Sequence, residues 1–312
     1  MPLFRIQHLT TYKYDRLIQE SMNEIKIFPL ETAEQELVNQ DLEISGHPEV
    51  HLFTDYWGNT TGNFNLMAPH DELVINSRLA VRTKGPDELR INFLATFLEL
   101  TEEGPGDIRK MVLSRPDAMV LQSLIEDMAG QLRSAEGSVA LTIKNCSDYI
   151  FEQFDYIKGI TTTETTVDEI LAKRAGVCQD FAHLLLQILR TMKIPSRYVS
   201  GYICPHRSGL RGEGATHAWV EAWIPGSGWT GIDPTNNIWV TNTHIKLAVG
   251  KDFTDCSPVK GTFKGLARQT LTVFVSVDYE DGEVVEALND VKMSNEDTAP
   301  APARAPSAGQ QQ

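Results

Sequence analysis

Residues 176–203 read GVCQDFAHLLLQILRTMKIPSRYVSGYI, and residues 216–237 read THAWVEAWIPGSGWTGIDPTNN. In the first stretch Phe181, Leu184, Leu185, Ile188, Leu189 and Met192 recur three and four apart, which predicts one amphipathic helix opening at Cys178. Pro195 marks its end. RYVSGYIC then has the β-branched and aromatic character of a strand. The second stretch predicts two more strands, THAWVEAWI and WTGID, joined by the turn Pro225-Gly226-Ser227-Gly228. A helix followed by short strands connected through tight turns makes this part of the chain α+β.

The same stretches carry the chemistry. A thiol at the start of a helix faces unpaired backbone N–H groups and the positive end of the helix dipole, which favour the thiolate, the nucleophilic form. Those N–H groups can also hold a developing oxyanion. Position alone therefore makes Cys178 the best thiol in the chain. If Pro225–Gly228 is a turn, its strands pair antiparallel, and His217 and Asp233 approach each other at the open end of the hairpin. A carboxylate there can bond one ring nitrogen and leave the other free for a thiol. This reading brings His217 to Asp233 but does not by itself bring Cys178 to either.

Working outward, residues 1–98 read as an antiparallel, sandwich-like β-domain. The runs FRIQHLTTYKYD, NEIKIFPL, ELVNQDLEIS, EVHLFTDYWG, GNFNLMA and ELVINSRLAVRTK are separated by turn signals, with Gly58-Asn59 in a hairpin turn. LTEEGPGD near residue 100 is a Gly/Pro/acid break and a candidate boundary. Residues 105–285 form the second unit. Helical periodicity runs over 117–134 and 139–155. Thr166 and Glu169 match a capping box for a short helix to about Arg174, stopped by Gly176. LTVFVSVDYE gives a last strand at 271–280. The Pro/Ala/Gln-rich tail, 294–312, is expected to be disordered.

The 312 residues are 41% hydrophobic, enough to bury a sizeable core, and carry a formal charge of −14. That charge argues against binding nucleic acid or an anionic lipid surface. No segment reads as a signal peptide or a membrane span, so the expected location is the cytoplasm. Cys146, Cys178, Cys204 and Cys256 form no CxxC pair and are expected to be free thiols, with Cys146 and Cys256 packing in the core. Asp180 and His183 read as structural, and His8, His47, His51, His70, His206 and His244 have no matched partner. Cys204-Pro205-His206 fits no metal-site spacing. No phosphate loop or calcium loop is present, so neither a cofactor nor a metal is expected.

GVCQDFAHLLLQILRTMKIPSRYVSGYI and THAWVEAWIPGSGWTGIDPTNN, followed by HIKLAVGKDFTDCSPVKGTFKG, resemble the transglutaminase-like superfamily in its bacterial branch. TTYKYD, IFPL and the DYWGN block resemble the N-terminal module of the same proteins. The resemblance implies a papain-like core, with the cysteine on a helix and the histidine and aspartate on a sheet. It implies that Cys178 is the nucleophile, His217 the general base and acid, and Asp233 the group that orients the imidazole. Trp219, two residues after the histidine, is a candidate wall of the acyl site. Lys251 stands where the family has arginine. The family's second oxyanion donor is a side chain upstream of the nucleophile; Gln179, next to Cys178, does not fit that place. The implied reaction is acyl transfer from a peptide or protein amide through a thioester. Water as acceptor makes a peptidase, amidase or deamidase; a primary amine makes a transglutaminase. The reading leans to water. A silent interaction module on the same fold is the rival, and a metal-dependent hydrolase a weaker one.

Overall fold

A computed structural model of the chain describes residues 2–84, 90–103, 107–204, 210–211, 216–279 and 284–291. The strands are β1 (Leu3–Ile18), β2 (Glu20–Ile25), β3 (Gln35–Ile44), β4 (His51–Thr54), β5 (Thr60–Leu66), β6 (His70–Thr83), β7 (Asp155–Tyr156), β8 (Ala175–Gly176), β9 (Ser196–Ile203), β10 (Thr216–Ile224), β11 (Gly228–Asp233), β12 (Ile238–Trp239), β13 (His244–Gly250), β14 (Val259–Lys264), β15 (Gln269–Tyr279) and β16 (Val284–Val291). The helices are α1 (Phe97–Glu103), α2 (Ile108–Leu113), α3 (Gln122–Leu132), α4 (Val139–Gln153), α5 (Val167–Lys173), α6 (Cys178–Thr191) and α7 (Phe253–Cys256). The fold is mixed α+β, with mostly antiparallel sheets.

The six N-terminal strands form where period-two patterning and turn residues place them. They divide between two sheets, ordered β16-β15-β1-β6-β3 and β14-β2-β5-β4. Ile18, Ile25, Phe28, Ile44, Phe64 and Leu73 fill the space between these sheets. β14 pairs with β2, and β15 with β1. The last strands of the 105–285 span are therefore hydrogen-bonded to the N-terminal sheets, so the first and last described strands lie in the same sheet. The 294–312 tail lies outside the described residues.

The third sheet, β12-β11-β10-β9-β13, carries the hairpin. The apolar stripe of α6 packs on it: Phe181, Leu184, Leu185, Ile188 and Leu189 share one core with Ala218, Val220, Ala222, Ile224 and Ile232. The smaller residues on β10 let the helix sit close. β13 and the end of β9 meet the first sheet through Tyr202, Ile245 and Leu247 against Phe4, Ile6 and Val81.

Two local expectations are corrected, the start of α3 and the stop of α5. α3 begins at Gln122, not 117, because the N–H groups of Val120 and Leu121 are taken by the Asp168 carboxylate at 3.1 and 2.7 Å. Within the break near residue 100, α1 reaches Glu103, residues 104–106 lie outside the described residues, and Asp107 caps α2 by accepting from the N–H groups of Arg109 and Lys110. α5 has the expected Thr166–Glu169 capping box. It ends, however, at Arg174, whose φ of 50° provides the left-handed stop, while Gly176 lies in β8.

Two side-chain amides tie the N-terminal layer to β13, an edge strand whose outer backbone groups would otherwise lack partners. Asn59, fully buried in the Gly58-Asn59 turn, donates to the Val249 carbonyl and accepts from the Val249 N–H, both at 2.8 Å. Gln35 does the same at Lys246, at 2.7 and 2.9 Å. Asn59→Ala leaves a buried N–H and a buried C=O unpaired, which is expected to cost about 2–4 kcal/mol. Urea unfolding measures this, and a loss under about 0.5 kcal/mol would show that β13 does not depend on the amide.

Candidate active site

Cys178 is the first residue of α6 and is partly exposed. Asp180 fixes the entry to the helix. Its buried carboxylate accepts from the Val177 N–H at 2.8 Å and from the Thr161 hydroxyl at 2.6 Å. The first helical bond runs from the Phe181 N–H to the Val177 carbonyl, so the N–H of Cys178 has no partner within the helix. The other three thiols are fully buried, and burial pushes each of them upward, away from ionisation.

β10 and β11 pair antiparallel in the register Val220↔Ile232, which brings their ends together. His217 Nε2 donates to Asp233 Oδ2 at 2.9 Å, with both side chains fully buried. Gly201 is the partner of His217 on β9. A Cβ there would lie 2.0 Å from the Ile245 carbonyl and 2.6 Å from the Trp219 ring, so only glycine lets β13 and Trp219 close up beside the histidine. Trp219 is fully buried and stacks on the His217 ring at 6.3 Å and 28°. It therefore backs the imidazole.

The turn after β11 supports the carboxylate. Asp233 Oδ1 accepts from the Thr235 N–H at 2.9 Å, and Oδ2 accepts from Asn236 Nδ2 at 2.8 Å. Capping the turn and orienting the histidine are thus done by one side chain. Burial alone would raise the Asp233 carboxyl, but His217 and His244 hold it well below the usual carboxylate range. Burial alone would lower the His217 imidazole, but the Asp233 anion and then the Cys178 sulfur outweigh it, raising it to about 10. His217 Nδ1 is buried and makes no hydrogen bond, to sulfur or to any other atom, while the Cys178 sulfur lies near enough to act on the charge of the ring. Helix start, histidine and aspartate therefore form one electrostatic unit.

That unit has a pH signature. A histidine raised from 6.5 to about 10 on folding contributes stability that is complete below pH 6.5 and lost by about pH 10. Between those limits wild-type unfolding free energy is expected to decline with pH by up to about 1.4 kcal/mol per unit. His217→Gln is expected to lack that part of the slope. Urea unfolding on both sides of pH 8 checks this, and parallel slopes for the two proteins would contradict it.

Two residues of the site were not legible as such in the sequence. Tyr156 is set beside the nucleophile by the short parallel pairing of β7 with β8, in the register Tyr156↔Gly176. Burial, the charges at Cys178 and Asp233, and to a smaller extent Asp180 push its hydroxyl upward, while Arg211 acts the other way. His244, expected to lack a partner, places Nε2 3.6 Å from Asp233 Oδ2. His8 and His70 also find partners, the Tyr202 hydroxyl at 2.7 Å and the Ala68 carbonyl at 2.8 Å. His183 accepts from the Phe253 N–H, a structural role, and Gln179 donates to the Thr163 carbonyl. His206 lies outside the described residues. Donor atoms of His217, Asp233 and His244 lie within 4.8 Å of one another. Within this group the 2.9 Å contact of His217 with Asp233 is a hydrogen bond, whereas His244 Nε2 stands 3.6 Å from the same oxygen.

Residues 126–234 match the family model described as Transglutaminase-like superfamily, and residues 4–82 match the one described as Bacterial transglutaminase-like N-terminal region. An uncharacterised protein of Mycobacterium leprae is 34% identical over 278 residues, 88% of this chain and 97% of that one. A protein-glutamine gamma-glutamyltransferase of Pseudomonas aeruginosa is 34% identical over 119 residues, 36% of this chain and 18% of that protein. A crystal structure from Cytophaga hutchinsonii, of a protein provisionally described as a cysteine protease, superposes with a TM-score of 0.69 at 22% identity. That match covers 94% of this chain and 92% of the other. Among the described residues no helix is long and apolar enough to cross a membrane.

Proposed function

Because the chain belongs to the transglutaminase-like superfamily, whose members support a general cysteine-dependent acyl-transfer or peptidase chemistry, we propose that it hydrolyses a peptide or protein amide through a thioester on Cys178. The single observation that carries this reading is the His217 imidazole. It is anchored by Asp233 at 2.9 Å through Nε2, which leaves Nδ1 buried without a hydrogen-bond partner on a ring whose charge the Cys178 sulfur acts on.

In the proposed sequence the Cys178 thiolate attacks the amide carbon, and the carbonyl oxygen takes up the displaced electron pair. The Cys178 N–H, unspent by the helix, stabilises that oxyanion, with the Tyr156 hydroxyl as second donor. The imidazolium gives its Nδ1 proton to the leaving nitrogen, the C–N bond breaks and a thioester remains. Water loses a proton to Nδ1 as it attacks the thioester. The C–S bond then breaks, giving the acid and the thiolate–imidazolium pair again. Partial exposure of Cys178 favours water as acceptor. The name of the Pseudomonas relative favours the second reading, in which a primary amine replaces water.

The test is an N-acylated glutaminyl-glycine peptide, incubated with and without a fluorescent primary amine and followed by mass spectrometry. Acid product at the same rate in both arms is the expected result. Conversion mainly to the amine adduct would replace hydrolysis by transamidation. Tyr156→Phe is expected to lower kcat about 100-fold with KM little changed, since the donor acts on charge that appears only in the transition state. A change in KM alone would remove Tyr156 from that role.

A further inference from the structure

We propose that His244 is a positioning residue for Asp233, supplying the buried N–H that steadies the carboxylate when His217 has given up its proton. The inference rests on the proposed thioester chemistry and deepens it. His244 begins β13 and is buried; its Nε2 has no hydrogen-bond partner and lies 3.6 Å from Asp233 Oδ2, the oxygen that accepts from His217. Nδ1 faces the Thr243 hydroxyl at 3.3 Å. Trp219 packs edge-on against the His244 ring at 5.2 Å and stacks on His217, so one indole fixes both rings around the carboxylate. The amide clamp of Gln35 on Lys246 holds β13 two residues away.

The need for such a donor follows from the charge states. While His217 is an imidazolium, Asp233 has a counter-ion. After His217 passes Nδ1–H to a leaving group or to solvent, a fully buried anion remains with less compensation, which a low-dielectric site penalises. Burial first, and His217 to a smaller extent, lower the His244 imidazole against the opposing pull of Asp233, which favours a ring that offers an N–H without competing as a second cation. Among the described residues, the titratable and charged groups around these side chains are Cys178 and Asp180 from α6, Tyr156 from β7, Arg211, His217 from β10, Asp233 from β11 and His244 from β13. With the N–H removed, the Asp233 anion holds the His217 proton more tightly, and the neutral imidazole needed to activate water becomes scarcer.

The probe is p-nitrophenyl acetate, whose phenolate leaves without a proton. The burst then reports attack by the thiolate, and the steady state reports deacylation through neutral His217. His244→Phe keeps an aromatic ring without the donor, and His244→Gln places an amide N–H near the position of Nε2. The expected result for His244→Phe is a burst within about threefold of wild type, a steady state about tenfold slower, and a deacylation pH profile moved up by about one unit. His244→Gln is expected to recover the wild-type profile. A wild-type steady state in His244→Phe, or an equal loss in both variants, would overturn the role of His244. Absence of a burst in the wild-type protein, or a burst that survives Cys178→Ala, would overturn the thioester reading instead.

Discussion

Cys178→Ala is expected to lower turnover of any amide or ester substrate by about 10,000-fold or more, because no other group in the site can form the thioester. The rest of the chain offers no substitute: Cys146, Cys204 and Cys256 are fully buried and pushed away from ionisation. Cys178 itself is only partly buried, so the variant should fold normally and lose less than about 1 kcal/mol of stability. Loss of the covalent acetyl adduct after p-nitrophenyl acetate, with an unchanged melting curve, is the expected pair of results. Residual turnover above about 1% of wild type would place the nucleophile elsewhere.

Asp233→Asn is the second large effect, of about 1,000- to 10,000-fold in kcat, by analogy with removing the anion of a serine-protease triad. The amide has nearly the shape of the carboxylate, but it provides no charge to hold the His217 proton. Burial, which by itself lowers the imidazole, then prevails, and the imidazolium beside Cys178 is lost. The amide can also offer its NH₂ to Nε2 and so fix the wrong tautomer. Asp233→Ala should add a stability loss of about 3–5 kcal/mol, because a buried partner of His217 and of the Thr235 and Asn236 donors disappears. Steady-state kinetics beside urea unfolding separates the two effects. A kcat within tenfold of wild type in Asp233→Asn would contradict the orienting role.

Much of this site was legible because its parts are local. The stripe from Phe181 to Met192 specifies α6, and the strands flanking Pro225–Gly228 specify the hairpin, so Cys178 falls at a helix start and His217 faces Asp233. What was not legible is non-local. Tyr156 reaches the nucleophile through a two-residue parallel pairing that no periodicity signals. His244 meets Asp233 because β13 lies beside β9, across a strand order unrelated to chain order. The return of β14 and β15 to the N-terminal sheets is hidden for the same reason: a strand's pattern announces a strand, not its partner. Local competition explains the smaller differences. Asp168 captures two N–H groups that a longer α3 would have used, and Arg174 takes the left-handed conformation that glycine was expected to supply.

The most direct test of the central claim is the rate of Cys178 alkylation by iodoacetamide at about pH 7, with the adduct located by mass spectrometry and His217→Ala run beside it. The predicted result is alkylation of Cys178 that is slowed about tenfold or more in His217→Ala, with no modification of the three buried cysteines in either protein. A wild-type Cys178 that reacts no faster than it does in His217→Ala, or no faster than Cys146, Cys204 or Cys256, would contradict the pairing of thiol and imidazole and favour a catalytically silent module on this fold.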